Sequence, residues 1–133
     1  MTAPGETDLE AMLASLAVER RPGVFTFVEV ESPTAPAAAD AHAVVVEDES
    51  VTLVLTVDDA RRHGLPAVVE MAWLTLTVQS SLEAVGLTAA VSERLAALDI
   101  SCNVLAGFRH DHLLVQSQRA DEAVVALKSF SSG

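Results

Sequence analysis

His110-Asp111-His112 is the first group in this sequence whose residue types and spacing suggest chemistry. On an extended segment, side chains at i and i+2 project to the same side, so two imidazoles could share a metal ion. Asp111 would then face away, and a third ligand would have to come from His42, His63 or an acid that no local spacing positions. The segment reads better as a polar turn in which Asp111 bonds backbone groups, and no metal site is assigned. Cys102 lies in an apolar run with no assignable base, so it reads as a small buried thiol rather than a nucleophile. Trp73, beside Thr75 and Thr77, reads as an interface residue on a sheet face rather than a cofactor platform.

The composition narrows the classes of partner. The 133 residues carry 8 Lys and Arg against 19 Asp and Glu, a formal charge of −11. A phosphate backbone needs a stripe of basic residues, whereas Arg20-Arg21 and Arg61-Arg62 are isolated pairs. Nucleic acid and anionic membranes are therefore not expected as partners. Half the residues are hydrophobic and only 4% aromatic, which predicts an aliphatic core of Val, Leu and Ala. A lone Cys102 makes no internal disulfide, and no CxxC spacing is present, which suits a reducing cytoplasm. Glu6, Asp8 and Glu10 precede the first short apolar run, the reverse of a secretory signal, and charges interrupt every apolar run before membrane-spanning length.

The elements that must position these residues follow from pattern. Thr7 and Glu10 form a capping box ahead of a helical face of Leu9, Met12, Leu13 and Leu16, which Pro22-Gly23 should end. Strands are expected over 24–30, 43–47 and 51–56, with Asp48-Glu49-Ser50 as a hairpin connection and Ser32-Pro33-Thr34-Ala35-Pro36 as a linker. A brief helical turn over 58–63 closes at Gly64. The run 68–79 is the longest strand candidate; Leu74, Leu76 and Val78 alternate with Trp73, Thr75 and Thr77, as when helices cover one side of a sheet. A helix over 86–98 should bury Leu87, Val91, Leu95 and Leu98. Strands over 100–108 and 113–116 and a helix over 119–130 complete the chain.

The second half thus runs strand, helix, strand, strand, helix. The first half follows the same order with its first helix reduced to the Pro-rich linker. These patterns predict two overlapping βαββαβ copies, residues 1–66 and 67–133, that share the long strand 68–79.

The stretch Gly86-Leu87-Thr88-Ala89-Ala90-Val91-Ser92-Glu93-Arg94-Leu95-Ala96-Ala97-Leu98-Asp99-Ile100-Ser101 resembles the first helix and second strand of ACT domains. More narrowly, residues 76–86 followed by Ala106-Gly107-Phe108-Arg109-His110-Asp111-His112-Leu113 are similar to a family of small stand-alone bacterial ACT proteins without an assigned function. Asp99 stands where that pattern usually has Gly, no Pro precedes Gly86, and no strand follows the last helix. The resemblance implies an α+β, ferredoxin-like fold with helices on one face of an antiparallel sheet. It also implies pairing of units, a homodimer among the possibilities, and an amino acid held by the loop between first strand and first helix.

That loop is residues 79–85 here. Backbone N–H groups at the helix start, near Val85 and Gly86, would favour the ligand's carboxylate. Glu83, loop carbonyls or Asn103 would take its ammonium, while Ser80 and Ser81 donate or accept. The same residues also read as an ordinary helix start, with Ser80 or Ser81 as cap and Glu83 in a capping box. The expectation is a cytoplasmic, non-enzymatic, amino-acid-binding regulatory module without a cofactor. Alternatives are an interaction module that binds no ligand, and a small enzyme using Glu83, His110 and His112.

Overall fold

A computed structural model describes residues 4–78 and 86–132. It divides into two compact units that do not follow chain order: Pro22–Ala72 forms one, and Met1–Arg21 with Trp73–Gly133 forms the other.

In the unit Pro22–Ala72 the sheet is built from the second half of β1 (Ala17–Val30), β2 (Ala43–Val46) and β3 (Val51–Thr56), in the order β2-β3-β1. Both pairings are antiparallel, with Thr26 opposite Leu55, Val28 opposite Leu53, and Ala43 opposite Val54. Glu47 N–H donates to the Ser50 carbonyl at 2.9 Å, which closes the expected β2–β3 hairpin. Alternation sends Val28, Val51, Leu53 and Leu55 into one core with Ala37 and Ala60. Ala37 belongs to a single 3-10 turn, Pro36–Asp40, which stands where the first helix of the copy would be. A short helix, α2 in chain order (Val57–Arg62), follows β3. Thr56 caps it by accepting the Asp59 N–H at 3.1 Å, and acids lead it while Arg61 and Arg62 end it, as the helix dipole favours.

The other unit contains α1 (Pro4–Ala14), the first half of β1, β4 (Met71–Thr77, from Trp73 on), α3 (Leu87–Ala96), β5 (Asn103–Ala106), β6 (Asp111–Gln116) and α4 (Ala120–Ser132). Its strand order is β1-β4-β6-β5, with β5 antiparallel to β6. The segment β4-α3-β5-β6-α4 lacks a final strand, as the sequence indicated. The first half of β1 occupies that place beside β4, completing the ferredoxin-like arrangement with a strand from the chain's beginning. Helices α1, α3 and α4 pack on one another, and α4 packs on β6. Met12, Leu16, Leu74, Leu76, Val91, Leu95, Leu113, Val115, Ala123 and Leu127 are buried in this unit.

Several expectations change. Pro22-Gly23 does not separate a helix from a strand: β1 begins at Ala17 and runs through it. Gly23 takes φ +106° within the strand, a conformation open to glycine at little cost. β1 is therefore a second strand common to both units, beside the one expected in 68–79: β4 (Met71–Thr77) is likewise divided between them, at Ala72 and Trp73. β4 is confined to Met71–Thr77, and Val68 and Val69 lie exposed and outside any strand, because an apolar run without a ladder partner has no backbone reason to stay extended. Finally, α1 begins at Pro4, ahead of the Thr7 capping box, and Leu98 lies beyond the end of α3 and is 40% exposed rather than buried.

Candidate functional site

Ser80, Ser81, Glu83 and Val85 lie outside the described residues. Gly86 and Asn103 are described, and both have structural duties. Gly86 is the residue before α3 and takes φ +101°. A Cβ built on it would stand 3.2 Å from Leu9 Cδ2, so α1 packs against the bare backbone at this point. Glycine here serves the fold even without a ligand. Asn103 opens the edge strand β5, is exposed, and donates from Nδ2 to the carbonyl of its ladder partner Leu114 at 3.3 Å. Asp99, in the place where the family usually has Gly, has φ +58°, a left-handed conformation that Asp tolerates better than most residues.

The His110-Asp111-His112 segment divides between turn and strand. Gly107 N–H donates to the His110 carbonyl at 2.9 Å, so the turn is 107–110, and Asp111 already pairs with Ala106 at the start of β6. The two imidazoles meet edge to face, centroids 6.4 Å apart. Among the described residues, no group of three or more His, Cys, Asp and Glu is placed to hold a metal ion.

His112 instead turns toward β4, where the sequence placed Trp73 and Thr75 on a common face. Its Nδ1 lies 3.2 Å from Trp73 Nε1 and 3.0 Å from Thr75 Oγ1. An indole N–H can only donate, so Nδ1 is an acceptor and Thr75 also donates to it. The ring is thus neutral, with its proton on Nε2. Burial, the nearby Arg21 cation and His110 hold the His112 pKa below its ordinary value, partly offset by Asp111. Arg21 also lies over the indole, its Cζ 4.1 Å from the ring centroid, a cation–π contact. Trp73 is buried, 2% exposed. Arg21 was invisible to sequence reasoning, because fifty-odd residues of chain separate it from Trp73 and no spacing rule links them.

In this same unit, Leu98, Val125 and Ala126 line a groove of about 470 Å³, rimmed by Asp121 and Glu122. Both acids are engaged, Asp121 with Arg20 at 3.3 Å and Glu122 with Arg119 at 2.8 Å. In the unit Pro22–Ala72, Asp40 accepts from His63 Nε2 at 2.7 Å and Arg62 at 2.8 Å, and these bonds, that of His63 foremost, pull its carboxyl below the usual range. Cys102 sits just before β5, half-buried, and burial raises its thiol pKa, which disfavours the thiolate a nucleophile needs.

Strand order and the βαββαβ plan define the class of the protein as an ACT-type module. The chain belongs to the ACT domain family: one model described as ACT domain matches residues 4–72, and a second matches residues 68–129. It is similar to the solved structure of VC0802 from Vibrio cholerae, described as a protein of unknown function and possible transport protein. The two are 38% identical over 96% of this chain and 98% of that one, with a TM-score of 0.87. Atu0741 from Agrobacterium tumefaciens is 20% identical over 87% of this chain and 89% of its own, TM-score 0.64. The regulatory subunit of aspartate kinase from Thermus flavus is 11% identical over 90% and 98%, TM-score 0.56, a likeness of fold alone. No curated protein matches. No helix among the described residues is long and apolar enough to cross a membrane. The protein is of the regulatory, amino-acid-sensing module type that ACT domains represent.

Proposed function

We propose that this protein is a non-enzymatic sensor that binds a free amino acid through the loop 79–86 and acts as a cytoplasmic homodimer. We take its two ACT copies to be residues 1–66 and 67–133. The observation that carries the reading is the pair of ACT matches, which between them span residues 4–129. The loop leads to α3, an element of about three turns whose first N–H groups would favour a carboxylate, whereas the other copy has a 3-10 turn in that position. Ser80, Ser81 and the backbone near Val85 would hold the carboxylate end. Glu83 and Asn103, whose Oδ1 remains after its bond to Leu114, would take the ammonium.

Thermal unfolding against each of the common amino acids tests this. At a hundredfold excess over Kd a ligand adds about 2.7 kcal/mol, several degrees of Tm for a chain of this size. Glu83→Gln and Ser81→Ala should reduce that shift. Gly86→Val is unsuitable as a ligand test, because Leu9 already occupies the space.

A second reading has its own observation. Strand β2 ends the β2-β3-β1 order, and Val44, Val45 and Val46 are 46%, 43% and 68% exposed on it. A bare edge of valines favours strand addition by another chain, and no amino acid would then be needed. A flat ligand screen together with a dimer mass by light scattering would select this interaction-module reading.

A further inference from the structure

We propose that His112 is a proton-operated latch: protonation of its Nδ1 expels the ring from the Trp73–Thr75 pair and loosens the β5–β6 hairpin. Two donors converge on a single ring nitrogen, the Trp73 indole N–H at 3.2 Å and the Thr75 hydroxyl at 3.0 Å. The bonds exist only while Nδ1 offers a lone pair. A proton there sets N–H against N–H. The Thr75 hydroxyl can rotate and accept instead, but the indole cannot, since it has no acceptor. Trp73 is buried, 2% exposed, so the indole cannot swing into solvent to relieve that opposition.

The charges facing His112 reinforce the latch. From β1, Arg21 stacks on the indole to which His112 bonds, and from the turn His110 meets the ring edge to face. Both oppose a further positive charge. Asp111, the neighbour on β6, favours it, and β4 contributes the uncharged Trp73 and Thr75. The opposing influences prevail, and the ring stays neutral at physiological pH.

Movement of the ring has a structural consequence because Nε2 abuts the turn. A Cβ on Gly107 would come within 3.0 Å of His112 Nε2 and 2.7 Å of the His110 carbonyl. The turn that closes the hairpin is thus packed against the imidazole. Strand β5 is the edge of its sheet and bonds only to β6, so a ring that leaves its place disturbs the weakest-held strand of the unit. The latch does not depend on amino-acid binding and operates whether or not the loop 79–86 takes a ligand.

The test uses the full ¹⁵N-labelled chain. Trp73 is its single tryptophan, so one indole N–H signal reports the bond without ambiguity. As pH falls, the His112 ring protons should titrate with a midpoint below the ordinary histidine value. The indole N–H and the Gly107 amide should lose exchange protection at that same midpoint. His112→Gln keeps an acceptor and removes the proton site, so both signals should become flat with pH, whereas His110→Gln should leave the transition in place. A His112 titration that leaves the indole and Gly107 protected would overturn the proposal, and so would a transition that persists in His112→Gln. The wild-type titration decides the matter even if a variant fails to fold.

Discussion

Thr26 and Thr75 lie on the opening strands of the two ACT copies, β1 and β4, and their hydroxyls meet opposite fates. Thr75 donates to His112 and is part of a hydrogen-bonded set with Trp73. Thr26 is fully buried opposite Leu55, and its Oγ1 has no hydrogen-bond partner. The copy with a full first helix has organised its strand polarity around an imidazole. The copy with only a 3-10 turn in that place carries an unsatisfied hydroxyl and keeps its polar chemistry at the rim, in the Asp40–His63–Arg62 group. Two regions built to one plan therefore differ in whether buried polarity is partnered, and that difference predicts opposite responses to the same substitutions.

The largest contrast concerns glycines at the helix ends. Gly86 and Gly64 both have positive φ, +101° and +70°, but a side chain at Gly86 meets Leu9 whereas one at Gly64 meets nothing within 4 Å. Gly64→Ala should cost only the left-handed backbone term, about 1–2 kcal/mol. Gly86→Ala adds displacement of Leu9 and should cost about 2–4 kcal/mol in urea denaturation. Equal losses would mean that α1 does not lean on the Gly86 backbone.

A smaller effect, with a change of sign, separates the threonines. Thr26→Val removes an unpaired hydroxyl at constant shape and should raise stability by about 1 kcal/mol. Thr75→Val takes a donor from His112 and should lower it by about 1 kcal/mol, checked in the same denaturant series. Two changes of the same sign would break the comparison.

The smallest effects are acid-side and occupy separate pH windows. His112 has a depressed pKa, so its contribution is present above the ordinary value of 6.5 and is lost as pH falls toward its folded value. Asp40 is likewise depressed, so its contribution is present above 3.8 and is lost as pH falls further through its own folded value. Tm measured against pH should flatten in the upper window for His112→Gln and in the lower one for Asp40→Asn. Asp40 is exposed enough that solvent screens its share. Interchanged windows would show that the assignments are reversed.

Much of the architecture was legible in local pattern. The β2–β3 hairpin, the α3 stripe of Val91 and Leu95, the alternation of Leu74 and Leu76 with Trp73 and Thr75, and the βαββα order all rest on side-chain periodicity within a few residues. The ACT resemblance rested on the same continuous segments. Leu98 failed as a core residue because helical phase says nothing about where the helix stops, and α3 ends at Ala96. The contact of Gly86 with Leu9 is not legible in the sequence, since it joins segments far apart in the chain.

Composition and periodicity were sufficient to specify an aliphatic, acidic α+β chain with two copies of one plan, because burial and backbone pairing act on neighbouring residues. They could not specify that β1 would be a second common strand beside the one in 68–79. Strand identity depends on which distant backbone supplies hydrogen-bond partners, and Pro22-Gly23 reads locally as a stop. Nor could they show that His112 would accept from Trp73 and Thr75 rather than join His110 at a metal. That outcome depends on the sheet order that brings β6 beside β4, a long-range pairing that sets which donors an imidazole meets.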